Sequence, residues 1–272
     1  MIGAIIGDVI GSVFENENTK TEDFSLFSRL SRFTDDTVLT IAIADAVMQR
    51  KSHPIAVIQS WRNTNLYAHK LKMYGKRFPH AGYGQMFSEW AQRSSLRGYR
   101  SFGNGSAMRV SPVGFTFDHL DDVLREARLT ALPTHNHPEG IKGAQAVAAA
   151  VYLARTGQTK DQIRTFVEQR FKYNLHQRLD DIRPQYEFDS SCQGSVPQAI
   201  IAFLESKNFE DAIRKAISLG GDSDTIACIA GGIAQAYYKE IPPQLVSQTN
   251  RLLDWEFKQV INAFNQTYNV NI

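Results

Sequence analysis

Cysteine is scarce in this chain: Cys192 and Cys228 are the only two, and neither has the spacing of a zinc or redox motif. Cys228 lies inside an apolar stretch and reads as a small buried hydrophobe, so a reduced, cytoplasmic compartment is expected. An excess of charge is missing too. The 30 Lys and Arg stand against 28 Asp and Glu, a net charge of +2, which gives no electrostatic case for nucleic acid or an anionic membrane. No apolar run approaches the ~20 residues that a membrane-spanning helix needs. Residues 1–14 are apolar but lack a basic n-region and carry Asp8 in their middle, which argues against a signal peptide. Strand-like alternation is rare, and no low-complexity or Pro/Gly-rich linker divides the chain.

What is present is an ordinary globular composition, 43% hydrophobic and 21% charged, on 272 residues. A chain of that length buries most of the surface its unfolded form exposes and needs no disulfide. Helical signals dominate. Residues 38–48 are almost continuously apolar and predict a helix buried on most sides. Residues 137–155 carry Ile141, Ala144, Val147 and Val151 at three-and-four spacing, with Pro138 suited to a first helical turn. Two shorter helices are expected over 196–204 and 209–219, and another apolar one over 226–238. Residues 245–264 read as one amphipathic closing helix, and 171–194 as a long loop. The expectation is an all-α fold forming a single domain, residues 1–272.

Two short acidic turns stand out, Thr34-Asp35-Asp36-Thr37 and Asp222-Ser223-Asp224-Thr225, each leading into one of the most apolar helices. Taken singly, either is explained by helix capping and by the favourable field at a helix N-terminus. Capping accounts for one carboxylate per turn and leaves the second without a partner. Burying several carboxylates together is costly unless they protonate or bind cations. Arg32 is the only Lys or Arg immediately beside either turn, so a divalent metal is the remaining counter-charge. Oxygen ligands with no interleaved His or Cys point to Mg²⁺ or Mn²⁺, with oxygens enough for two ions. The reading requires the two turns to meet in space.

Three further segments carry weaker signals. Gly7 and Gly11, four apart, suit the close packing of two buried helices, and Glu15 beyond them reads alone as a surface residue. The run Gly103-Asn104-Gly105-Ser106 would expose successive backbone N–H groups suited to phosphate oxygens, although Asn-Gly is also a common turn. It matches neither the P-loop nor the dinucleotide fingerprint. His135 and His137 form a His-x-His pair with no third zinc ligand nearby, so a capping turn is expected there, leaving His135 free to bond a ligand.

In this order the five segments resemble the ADP-ribosylglycohydrolase family, from Gly3 to about Tyr238. The most specific parts are Phe33-Thr34-Asp35-Asp36-Thr37, Gly103-Asn104-Gly105-Ser106-Ala107-Met108-Arg109 and Gly220-Gly221-Asp222-Ser223-Asp224-Thr225; Ser191-Cys192-Gln193-Gly194-Ser195 also looks like a family loop. The resemblance implies an all-α fold with a binuclear Mg²⁺ or Mn²⁺ centre in a cleft. It implies Thr34, Asp35, Asp36, Asp222, Asp224 and Thr225 as metal ligands, and Glu15 as an active-site glutamate, overturning its surface reading. Gly103, Asn104, Gly105, Ser106 and Met108 would belong to the diphosphate loop, His135 would lie near the substrate, and Ser195 would face the adenosine half. Gln85 and Lys239 depart from the family, standing where relatives commonly have glycine.

The implied reaction is hydrolysis of the glycosidic bond between ADP-ribose and an acceptor, through an oxocarbenium-like transition state. Glu15 or Asp35 would be the general base. An ADP-ribosylated protein, modified on arginine, is the expected substrate. The alternatives are serine-, nucleobase- or small-molecule-linked ADP-ribose, a non-catalytic ADP-ribose-binding protein like the family's crystallins, and a Mg²⁺-dependent phosphatase.

Overall fold

The structure, a computed structural model, describes residues 1–270. Among them the chain is helical throughout and forms no named strand; a lone antiparallel bridge joins Gly103 to Ser191. The first half runs α1 (Ile2–Gly11), α2 (Asp35–Met48), α3 (Ala56–Arg77), α4 (Gln85–Gln92), α5 (Gly105–Met108), α6 (Ser111–Thr116) and α7 (Leu120–Ala131). The second half runs α8 (Pro138–Arg155), α9 (Lys160–Phe171), α10 (Leu179–Ile182), α11 (Cys192–Glu205), α12 (Phe209–Ile217), α13 (Ser223–Tyr238), α14 (Pro243–Leu252) and α15 (Trp255–Tyr268).

The centre of the molecule is α13, buried from Ser223 through Ala236 and packed against α1, α8, α11 and α12. Its closest partner is α1, because the two backbones touch. A Cβ on Gly7 would collide with the carbonyl of Ala227, and one on Gly231 would collide with the carbonyl of Gly3. This is the close approach that glycines four apart suggest, extended across a second helix. α2 lies alongside α1 and packs against α3, α6 and α15, so the starts of α2 and α13 come together over the C-terminal half of α1.

The all-α expectation holds, and α2, α8, α12 and α13 fall where apolar spacing places them, with Pro138 at the start of α8. Two expectations need correction. The single closing helix is two, α14 and α15, because Leu253 and Asp254 are extended (ψ 142° and 152°) and Leu253 turns into the core. The long loop over 171–194 contains α10, a 3₁₀ turn at Arg183–Gln185 and the start of α11. Lys239 ends α13 in the left-handed region, φ 57°, which a glycine would occupy without strain.

Candidate active site

The first acidic turn is held by a carboxylate from another helix. Thr34 precedes α2 and its Oγ1 accepts from Asp36 N at 3.4 Å. Beyond that cap, the fully buried Asp8 of α1 does most of the capping. It accepts from Thr34 N and Thr37 N, both at 3.0 Å, from Thr34 Oγ1 at 2.6 Å, and from Thr37 Oγ1. Asp8 is thereby saturated, and the carboxylates of Asp35 and Asp36 are released from capping. Because Thr34 Oγ1 gives its proton to Asp8 and accepts from Asp36 N, one lone pair is left for another partner.

The second turn is shaped by backbone. Gly220 and Gly221 take φ of 72° and 69°, values an L side chain resists. Asn18 accepts from Gly221 N, and Lys20 Nζ donates to Leu219 O at 2.5 Å and Tyr186 O at 2.6 Å. Asp222 accepts from Asn104 Nδ2 at 2.8 Å, and Asp224 from Thr225 N at 2.9 Å.

The turns meet. Carboxylate oxygens of Asp8, Asp36 and Asp224 lie within 4.8 Å of one another, and Thr225 Oγ1 donates across to Asp36 Oδ2 at 3.2 Å. Among the described residues no Lys, Arg or His forms an ion pair with these aspartates. Burial, and then repulsion from Asp8, Asp35 and Asp222, pushes Asp36 well above the usual carboxylate range. Asp224 is raised in the same way by burial and by Asp36. Burial and Asp8 push Asp35 up to about 8. Asp36 Oδ1 is buried with no hydrogen-bond partner at all. An unpartnered buried oxygen beside the crowded carboxylates of Asp8, Asp36 and Asp224 fits a hard divalent cation.

This cluster floors a cleft of about 500 Å³. Its lining includes the carboxylates of Glu15, Asp35, Asp36, Asp222 and Asp224 together with Gly103, Asn104, Gly105, Met108, Arg109 and His135. Glu15 is half-buried, and burial followed by the Asp222 charge raises its pKa. His135 is buried and reaches the loop at Gly105; His137 caps α8, its Nδ1 accepting from Glu139 N at 3.2 Å.

Hydrogen bonds within the protein tie down several of the expected site residues. The amides of Gly103 and Asn104 are not free for an anion, being bonded to Ser101 Oγ and Ser190 O. Ser106 is buried and its hydroxyl donates to Gly140 O at 2.7 Å, fixing the loop from behind. Ser195 sits in the first turn of α11 with no exposure and accepts from Asn104 Nδ2 at 2.9 Å. Asp8 is the residue that sequence reasoning passed over. Its signal was a lone carboxylate between close-packing glycines in an apolar helix, which has to be buried and so has to find donors.

The sequence profile of the ADP-ribosylglycohydrolase family matches residues 1–270. Among named relatives, ADP-ribosylhydrolase ARH3 of Gallus gallus is 27% identical over 98% of this chain and 89% of its own length. ADP-ribosylarginine hydrolase Tri1 of Pseudomonas putida is 25% identical over 91% of this chain and 72% of its own. A solved ADP-ribosylglycohydrolase-related protein complex shares the fold, with a TM-score of 0.63 at 23% identity, covering 100% of this chain and 96% of that one. No helix of the described residues is long and apolar enough to cross a membrane. With profile, relatives and fold in agreement, the chain belongs to the ADP-ribosylglycohydrolase family and is a hydrolase of ADP-ribose conjugates.

Proposed function

We propose that this chain removes ADP-ribose from a modified arginine side chain, with two Mg²⁺ or Mn²⁺ ions held between the acidic turns. The observation that carries the reading is the unpartnered Asp36 Oδ1 within the Asp8, Asp36 and Asp224 cluster, at the floor of a cleft sized for a nucleotide sugar. When bound, the ions would supply Lewis-acid polarisation of the ribose hydroxyls and of a water. The chain's own residues do the rest. Glu15 or Asp35, both on the cleft wall with raised pKa values, takes the proton of the attacking water. Asn104, fixed by Ser195 and Asp222, holds the loop at Gly103–Gly105 over the position of the diphosphate. Binding there contributes energy remote from the bond that breaks.

Arginine is taken as the acceptor because a relative covering 91% of this chain is named an ADP-ribosylarginine hydrolase. The test is a panel of arginine-, serine- and nucleobase-linked ADP-ribose, with products read by mass spectrometry. Free arginine side chains and ADP-ribose are the expected products. Turnover of the serine conjugate alone would replace the acceptor, and binding without turnover would make the chain a reader of ADP-ribose.

A further inference from the structure

Arg109 closes the most specific loop of the sequence and has no part in the function proposed above. Its side chain is completely buried, yet Nε and Nη1 have no partner, and among the described residues it forms no ion pair with any carboxylate. A guanidinium buried on those terms is costly, which calls for a consequence elsewhere. Its bonds show where. Nη2 donates to Thr130 O at 3.2 Å and to Thr134 Oγ1 at 2.7 Å, and Thr134 Oγ1 lies 2.7 Å from His135 Nδ1.

A guanidinium can only donate, so Thr134 Oγ1 is an acceptor towards Arg109 and has one proton of its own to place. Thr134 is fully buried, and His135 Nδ1 is the acceptor in reach. The Tyr99 hydroxyl also adjoins Thr134, but it forms no hydrogen bond of normal geometry with Thr134 Oγ1, whereas His135 Nδ1 stands at 2.7 Å. With Nδ1 accepting, a neutral imidazole must carry its hydrogen on Nε2. Burial, and then the Arg109 charge, holds His135 well below its usual pKa, which keeps the ring neutral. Nε2 lies 3.2 Å from where a Cβ on Gly105 would be and 3.7 Å from one on Gly103, so the hydrogen is presented at the loop that lines the cleft.

We infer that Arg109 and Thr134 are positioning residues that fix His135 as the neutral Nε2–H tautomer, presenting a hydrogen-bond donor to a phosphate oxygen at Gly103–Gly105. Only the identity of the anion rests on the ADP-ribose reading; the tautomer does not. The buried charge thus acts through a hydroxyl on a ring, and its cost is offset by a donor that needs no reorientation when an anion arrives.

The experiment is ¹⁵N-histidine labelling of the full chain, with long-range ¹H–¹⁵N correlation at pH 7 and the His135 signals assigned by their loss in His135→Gln. The expected result is the Nε2–H tautomer in the unmodified protein. Thr134→Val keeps the shape but has no proton to give; it should lose that tautomer preference and bind ADP-ribose about tenfold more weakly, the scale of one charge-assisted hydrogen bond. Thr134→Ser should restore both. Arg109→Lys, which keeps a cationic donor, provides a second readout should the valine variant melt early, and should retain the tautomer. A proton on Nδ1 in the unmodified protein, or an unchanged tautomer in Thr134→Val, overturns the inference. If ADP-ribose binds none of the proteins while the tautomer is as expected, it is the assignment of function that fails.

Discussion

Around Thr34 the acidic turn is held by side chains, whereas around Asp222 it is held by the shape of the backbone. The two segments read almost alike in sequence, and both place paired carboxylates at the start of a buried helix. In the first, Asp8 brings a charge from a neighbouring helix to satisfy two amides and two hydroxyls, so the local carboxylates need not cap. In the second, Gly220 and Gly221 bend the chain through left-handed conformations while Asn18 and Lys20 tie the bend down. A repeated motif is therefore not a repeated structure. What the turns share is the outcome, two carboxylates each, freed from capping and turned towards one another.

The comparison breaks most completely at the shared centre. Asp36→Ala and Asp224→Ala should each lower kcat by about 10³-fold or more, on the order of 4 kcal/mol of transition-state stabilisation. Removing a buried, repelled carboxylate should leave the metal-stripped protein at least as stable as before. Assay of turnover alongside melting checks both, and full activity in either variant would sink the site assignment.

A smaller effect sharpens the difference between the turns. Asp8→Asn sets an amide nitrogen against donors that need an acceptor, at a cost of about 2–4 kcal/mol, and should also abolish the response of melting temperature to Mg²⁺. Gly221→Ala forces a Cβ into φ 69° beside Tyr186, for about 1–3 kcal/mol, and leaves the side-chain-held turn as it was. Denaturant titration with and without Mg²⁺ separates the two; an undiminished Mg²⁺ response in Asp8→Asn would erase the distinction.

The smallest effect is on pH dependence, and it treats the turns as one. The folded-state pKa values of Asp35, Asp36 and Asp224 are raised above their unfolded values, so their contribution to stability is present at low pH and lost as pH rises through the folded values. Metal-stripped protein should therefore melt at progressively lower temperature between about pH 4 and pH 8, the value of Asp35 marking the upper end. Mg²⁺ at 100 times its Kd should restore about 2.7 kcal/mol at the upper end. A flat profile after chelation would count against these three crowded carboxylates.

Much of this was legible in the residues. Helices apolar on all sides, such as α2 and α13, announce themselves, because nothing but a core accommodates them. The paired aspartates at their starts were legible for the same reason, a charge too close to the core to be ignored. The break at Leu253–Asp254 was hidden, since the amphipathic period runs on through it and only tertiary packing turns Leu253 inward. Asp8 was hidden by its setting: four donors reach it from a segment more than twenty residues away, and sequence spacing does not reveal who those donors are. The bond from Asn104 to Ser195 was hidden for a related reason, as a loop motif does not say which neighbour meets it.

The backbone contact between α1 and α13 sets an order of events during synthesis. Gly7 has no partner until Ala227 exists, and Asp36 meets no second carboxylate pair until Asp224 has left the ribosome. A nascent chain, or a product truncated before α13, carries the first acidic turn and the Gly103–Gly105 loop without ever holding a complete site. The site is complete only once the two ends of the sequence have closed on each other.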